Sequence, residues 1–194
     1  MTKIKLLFVI VILFMQTSFR YSNILIPVTA SQEERALYQL IMDYRASKKL
    51  AIIPWSHSMT IVAKAHSQDL NEQHPDKKKC NGHSWSKKGK WKSCCYTPDH
   101  KNASCMWDKP RELTNYKDDG FEIVCSITDS ENKKDAMKAE IAMDTWKKSK
   151  HHNDIIINKD IWKKATWNAI GISIEKDYAV VWFGKSLDPE NDNK

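Results

Sequence analysis

The sequence predicts an α+β domain built around an antiparallel hairpin, and three observations carry that prediction. Ile170, Ile172 and Ile174 alternate with Gly171, Ser173 and Glu175, the period of two of a half-buried strand. Tyr178–Phe183 is apolar on both faces, as a central strand covered on both sides would be, and Lys176-Asp177 between the two runs reads as a hairpin turn. Upstream, two stretches place apolar residues at helical spacing before any strand pattern begins.

The elements follow in order. Residues 1–22 read as a secretory signal: Lys3 and Lys5 precede the apolar run Leu6–Met15, which is short for a membrane-spanning helix. An uncleaved signal anchor is the alternative, and either reading places the domain outside the cytoplasm, secreted or periplasmic. The exported chain is expected to begin between Ile24 and Ser31. Residues 23–187 read as a single domain and 188–194, rich in Asp and Asn, as a frayed tail. Leu37, Leu40, Ile41 and Tyr44 make the apolar stripe of a helix over Ser31–Leu50, and Ser31 with Glu34 is a capping box. Pro54 breaks the chain, and Trp55 leads into a second helix over Ser56–Asn71. Val62, Ala65, His66 and Leu70 form its inner face, with Asp69 beside them. His66 reads as a helix histidine with its ring in a satisfied hydrogen bond, the alternative being a ligand.

Residues 72–120 show no steady period and contain Pro75, Pro98 and Pro110. All five cysteines (Cys80, Cys94, Cys95, Cys105 and Cys125) fall in or just after this stretch, so cross-links replace secondary structure as its staple. Outside the cytoplasm the expectation is two disulfides and one free thiol, with the adjacent Cys94 and Cys95 going to different partners. Sequence does not choose among the pairings. Trp85, Trp91 and Trp107 offer local packing, and Asn102-Ala103-Ser104 is a glycosylation sequon, meaningful only in a eukaryotic host. Gly120–Ser126 reads as a strand. Asn132, with Asp135 as its third residue, reads as the cap of a helix running to about Lys148, before the corner His151-His152.

Charge narrows the function classes. The formal net charge is +7, and removing the three positive charges of residues 1–22 leaves +4. No concentrated basic stripe is present, which argues against nucleic acid as a partner. No GxSxG, HExxH or phosphate-binding loop occurs. Ionisable residues in apolar surroundings are few: Glu122 between Phe121 and Ile123, His83 between Cys80 and Trp85, and His152 before an isoleucine run. Two histidines and a carboxylate suit a borderline divalent ion such as zinc, although their spacing is not by itself a metal signature. A serine–histidine–glutamate set using Glu122, His152 and a nearby serine is the hydrolytic alternative.

Taken together, the order of motifs resembles the CAP superfamily, the secreted fold of cysteine-rich secretory proteins, antigen 5 and plant pathogenesis-related proteins. The resemblance spans about Arg35 to Gly184. It rests on Leu50-Ala-Ile-Ile-Pro-Trp55 followed by Ala63-Lys-Ala-His66, on Gly120-Phe-Glu-Ile123, on Trp146-Lys-Lys-Ser149 with His152, on Ala169-Ile-Gly171, and on Tyr178-Ala-Val-Val-Trp-Phe-Gly184. It implies a three-layer α-β-α sandwich with a mainly antiparallel sheet. It also implies a cleft lined by two histidines and two acids, the histidines holding a divalent cation. Residue by residue, the first histidine matches His83, the glutamate matches Glu122, and the second histidine matches His152, with His151 as the alternative register. The second acid departs, because Ser149 stands at its place. The long loop with Cys94-Cys95 is unlike the animal and plant members and looks like a microbial branch. The resemblance therefore implies a monomeric extracellular binding domain for a lipid, another small apolar molecule or a protein partner, with a weak zinc site at His83 and His152 and Glu122 nearby. A metal-dependent or serine-type hydrolase, and an interaction module with a vestigial cleft, are the other classes.

Overall fold

The computed structural model describes residues 29–129 and 136–191. The signal sequence expected over residues 1–22 and the helix cap expected at Asn132 and Asp135 lie outside the described residues. Helix α1 (Gln32–Ser47) starts as its sequence predicts. The Glu34 N–H donates to Ser31 Oγ, and the Ser31 N–H donates to the Glu34 carboxylate, which closes the capping box. Leu37, Tyr38, Ile41 and Met42 form its buried stripe.

Helix α2 (His57–Gln73) is capped by Ser56, whose Oγ accepts from the Met59 N–H. A second cap comes from the far end of the chain. The Asp188 carboxylate is buried and accepts from the Ser56 and Ser58 hydroxyls and the Ser58 N–H, while the Asn191 amide donates to the Trp55 carbonyl. The expected fraying from position 188 is thus corrected for 188–191. The Asp/Asn composition that reads as solvated supplies the acceptors that the orphan N–H groups of α2 require.

Strands β1 (Gly120–Ser126), β2 (Ala169–Glu175) and β3 (Tyr178–Gly184) form one antiparallel sheet in the order β1-β3-β2. The doubly apolar β3 is central and buried along its whole length. The β2–β3 hairpin turns at Lys176, which takes a left-handed φ of 47°. Because side chains alternate along a strand, β1 presents Phe121, Ile123 and Cys125 to one face and Glu122 and Val124 to the other. On the first face these residues, with Ile172, Val181 and Phe183, pack against α1, α5 (Ala139–Lys148) and α6 (Lys150–Ile156). On the second face Val124, Val180 and Trp182 pack against α2 and the irregular region that follows it. The result is the expected three-layer α-β-α arrangement. Among the described residues no helix is long and apolar enough to cross a membrane.

Three boundaries differ from the sequence reading. Helix α5 begins at Ala139, not near Asn132: Lys138 is extended, Met137 is buried in the core, and the Ala139 N–H donates to Glu33 of α1. The cap is tertiary, and no local signal could announce it. Ser149 interrupts the helical backbone for one residue (φ −92°, ψ 115°), after which His151 and His152 lie within α6 rather than in a loop. The cysteine-rich region holds two one-turn helices, α3 (Ala103–Trp107) and α4 (Lys109–Leu113).

One glycine sets the distance between α2 and the sheet. A Cβ on Gly171 would lie 2.0 Å from the Met59 backbone carbonyl carbon, so the first turn of α2 rests directly on β2. That close approach determines how deep His66, two turns further along α2, reaches towards β1.

Candidate functional site

The first wall of the site is the loop that carries His83. Two disulfides pin it: Cys80–Cys95 and Cys94–Cys105, with Cys125 left as a buried free thiol. The expected count holds, and the adjacent cysteines do go to different partners. Trp85 and Cys94 exchange both backbone hydrogen bonds, N···O 2.7 and 3.0 Å, as one antiparallel pair. On the α2 side, the Asp69 carboxylate accepts from both the N–H and the hydroxyl of Ser86. His83 therefore sits on a short piece of chain fixed at both ends, in a region without regular secondary structure.

At the base of this wall lies Glu122. Its side chain is wholly buried and both oxygens are engaged: Oε1 with His66 Nδ1, and Oε2 with His83 Nδ1 at 2.8 Å. His66 Nε2 donates to the Ser84 carbonyl at 2.9 Å. Burial alone would push the Glu122 carboxyl up, but the two histidines hold it below the usual carboxylate range. Glu122 is therefore an anion, and an anion accepts only. His66 then donates from both ring nitrogens, to a carboxylate on one side and a carbonyl on the other, which makes it an imidazolium. Trp85 completes its environment by stacking on the ring at 4.1 Å and 7° between planes, the geometry in which an aromatic face stabilises a cation. For His83 the same carboxylate accepts the Nδ1–H, which orients the ring, and Nε2 has no protein partner among the described residues.

The second wall is α6. His152, and not its exposed neighbour His151, lines a cleft of about 400 Å³ shared with Asn81, Gly82, His83, Val124, Ser126 and Tyr178. Burial, together with His83 and His151, pushes His152 down to about 4. At neutral pH it is an uncharged imidazole, and its Nδ1 is buried without a hydrogen-bond partner. Asp76 and Asp129 stand at one end of the cleft, and the Tyr178 hydroxyl donates to Asp76 at 2.8 Å.

The structure thus brings His83 and Glu122 into direct contact and places His152 in the same cleft, without a hydrogen bond between Glu122 and His152. Among the described residues no serine hydroxyl bonds to His83 or His152. Ser149 is half-buried, makes no side-chain cap and is not among the residues that line the cleft. His66 is satisfied by hydrogen bonds, as its place on the inner face of α2 suggests. Its partner, Glu122, is what the sequence does not reveal, because only the sheet brings positions 66 and 122 together.

No family model and no curated protein matches the chain in sequence. Solved structures do match in shape. An outer surface protein of Borrelia burgdorferi is similar with a TM-score of 0.53 at 18% identity, over 80% of this chain and 93% of that one. An extracellular protein of Bacillus anthracis containing an SCP domain is similar with a TM-score of 0.51 at 12% identity, over 79% of this chain and 40% of that one. At these identities the likeness shows the fold. The chain has the architecture of an SCP domain, the domain of the CAP superfamily that its motif order resembles.

Proposed function

We propose that this chain is an extracytoplasmic SCP-type binding domain whose cleft takes a divalent cation, zinc by its ligand chemistry, on His83 and His152. The observation that carries the reading is the pair of available imidazole nitrogens. His152 Nδ1 is buried and unpartnered, and His83 Nε2 is freed because Glu122 holds Nδ1. Neutral imidazoles suit zinc, and a carboxylate on the far nitrogen raises ligand basicity. Among the described residues no three His, Cys, Asp or Glu side chains gather to hold a metal. An ion here would therefore keep open positions, bind weakly and exchange. When bound, it supplies an electrophilic docking point for an oxygen or nitrogen donor of the ligand. Glu122 would orient His83 rather than ligate, since His66 and His83 consume both of its oxygens. Two disulfides and the extracellular SCP-domain neighbour support the extracytoplasmic assignment.

A serine-type hydrolase is disfavoured because among the described residues neither cleft histidine holds a serine hydroxyl, and both oxygens of Glu122 are engaged by histidines. Isothermal titration of zinc into the wild type, His83→Ala and His152→Ala tests the site. Loss in both variants, with no peptide or ester hydrolysis by the zinc-loaded wild type, is the expected result. Equal affinity in all three would remove the site.

A further inference from the structure

We propose that the ligand of this cleft is an extended polypeptide segment that adds to the open edge of β1 as a fourth strand. The proposal rests on the binding-domain reading of the cleft and names its ligand class, but it does not require the metal.

The hydrogen-bond phase of the sheet carries the argument. The Ile127 N–H donates to the Asp177 carbonyl at 2.7 Å, one step beyond the last paired residues, so odd-numbered residues of β1 bond to β3. The opposite edge gives the same phase. Ile170 sends both its N–H and its C=O outward, to Pro54 and Ser56, so odd-numbered residues of β2 bond to even-numbered residues of β3. The odd residues of β3 are then left for β1. Glu122, Val124 and Ser126 consequently turn their backbone groups away from the sheet. The Ser126 N–H is taken by Asp129 Oδ2 at 2.8 Å. Among the described residues no hydrogen bond reaches the N–H or the C=O of Val124, and Val124 is 8% exposed. A buried, unpaired donor and acceptor on one residue is what an added strand satisfies.

The surroundings match that occupant. Val124, Cys125 and Ser126 line the cleft, between the wall formed by Asn81–His83 and the wall formed by His152. A strand laid there sends alternate side chains towards each wall. Gly82 keeps the first wall close, since a Cβ on it would lie 3.0 Å from Val124 Cγ1. The lining contains no Lys or Arg, although the chain as a whole is basic. Asp76 and Asp129 close one end, each with one carboxylate oxygen unengaged among the described residues. A basic side chain belongs at that end. A lipid chain or other apolar molecule would leave Val124 unpaired, having neither a donor nor an acceptor to offer.

The test is amide exchange at Val124 in the full metal-free protein with chelator present. The probe is a pool of acetylated, amidated hexapeptides randomised over Val, Ile, Thr and Tyr with one terminal Lys, at about 1 mM. The expected result is exchange of the Val124 N–H slowed about tenfold, with its resonance moved downfield. A pool N-methylated at every backbone nitrogen should lose the effect. Asp76→Asn should narrow the preference for lysine-ended over alanine-ended pools. Unchanged exchange, or equal binding by the fully N-methylated pool, overturns the proposal. Protection already present without peptide also overturns it: if independent of protein concentration, the chain covers its own edge, and if concentration-dependent, a second copy does. Because chelator is present throughout, a protein that fails the zinc titration and passes here loses only the metal.

Discussion

Replacing Glu122 separates its two roles, as a charge and as a hydrogen-bond bridge. Glu122→Met keeps the volume and removes both acceptors. His66 is then left wholly buried with Nδ1 facing an apolar chain, and His83 loses the group that orients it. Breaking a buried pair by removing one partner costs about 3–5 kcal/mol. Glu122→Gln is different. Its carbonyl can still accept from His83 Nδ1, and its amide can donate to His66 Nδ1 once His66 becomes neutral, while Nε2–H stays on Ser84. Both bonds survive, so only charge assistance is lost, about 1–2 kcal/mol. With a urea slope of about 2 kcal/mol/M, the unfolding midpoint should fall by about 2 M for the Met variant and by less than about 1 M for the Gln variant, with unchanged slope. The double variant His66→Leu/Glu122→Met should be more stable than the sum of the single losses predicts, by about 2 kcal/mol. A Met variant within about 1 kcal/mol of wild type, or a Gln variant as damaged as the Met variant, would refute the ion-pair account.

Three further outcomes are expected. Gly171→Ala should destabilise by about 2–3 kcal/mol in urea unfolding, because the added methyl meets α2 backbone, which cannot move aside as a side chain could. Without metal, stability should fall as pH drops from about 6.5 to 4. The unfolded chain protonates His152 near 6.5 while the fold holds it neutral down to about 4, so the loss accumulates across that window, reaching about 2–3 kcal/mol. His152→Phe, compared by urea midpoints at pH 7 and pH 4.5, should flatten that part of the profile, and an unchanged slope would count against the burial of this ring. Finally, Cys80→Ser/Cys95→Ser opens a loop of 15 residues and should lower stability by about 3 kcal/mol, on the order of 10 °C in the melting temperature. An unshifted melting curve would show that the remaining contacts already fix the loop.

What could be read from the sequence was whatever a period or a local cap encodes. The Ser31–Glu34 box, the doubly apolar Tyr178–Phe183 strand and the two-residue turn at Lys176-Asp177 are each decided within a few residues, and each lies where the sequence puts it. Errors arose where a distant residue does a local job. Helix α5 starts at Ala139 because Glu33 caps it from another helix, and residues 188–191 are ordered because Asp188 caps α2. In both cases composition describes the segment correctly, and the deciding partner is more than 100 residues away.

The site shows the same division more sharply. Glu122 stands out in the sequence because a carboxylate between Phe121 and Ile123 must be either paired or protonated. Which of the two applies cannot be read from β1 alone, since it depends on how closely α2 approaches the sheet, and Gly171 sets that distance. With the approach permitted, His66 reaches the carboxylate and takes up its charge. His83 then takes the second oxygen, which orients its ring and leaves its outer nitrogen without a protein partner among the described residues. A glycine on β2, by admitting α2 to the sheet, therefore bears on how a histidine on a distant loop is oriented. The same approach of α2 brings His66 to Glu122, whose other oxygen holds His83 in the cleft wall. Gly171→Ala should accordingly weaken zinc affinity as well as stability, whereas a destabilising change remote from α2, such as Ala142→Gly on the opposite face, should lower stability and leave zinc affinity unchanged.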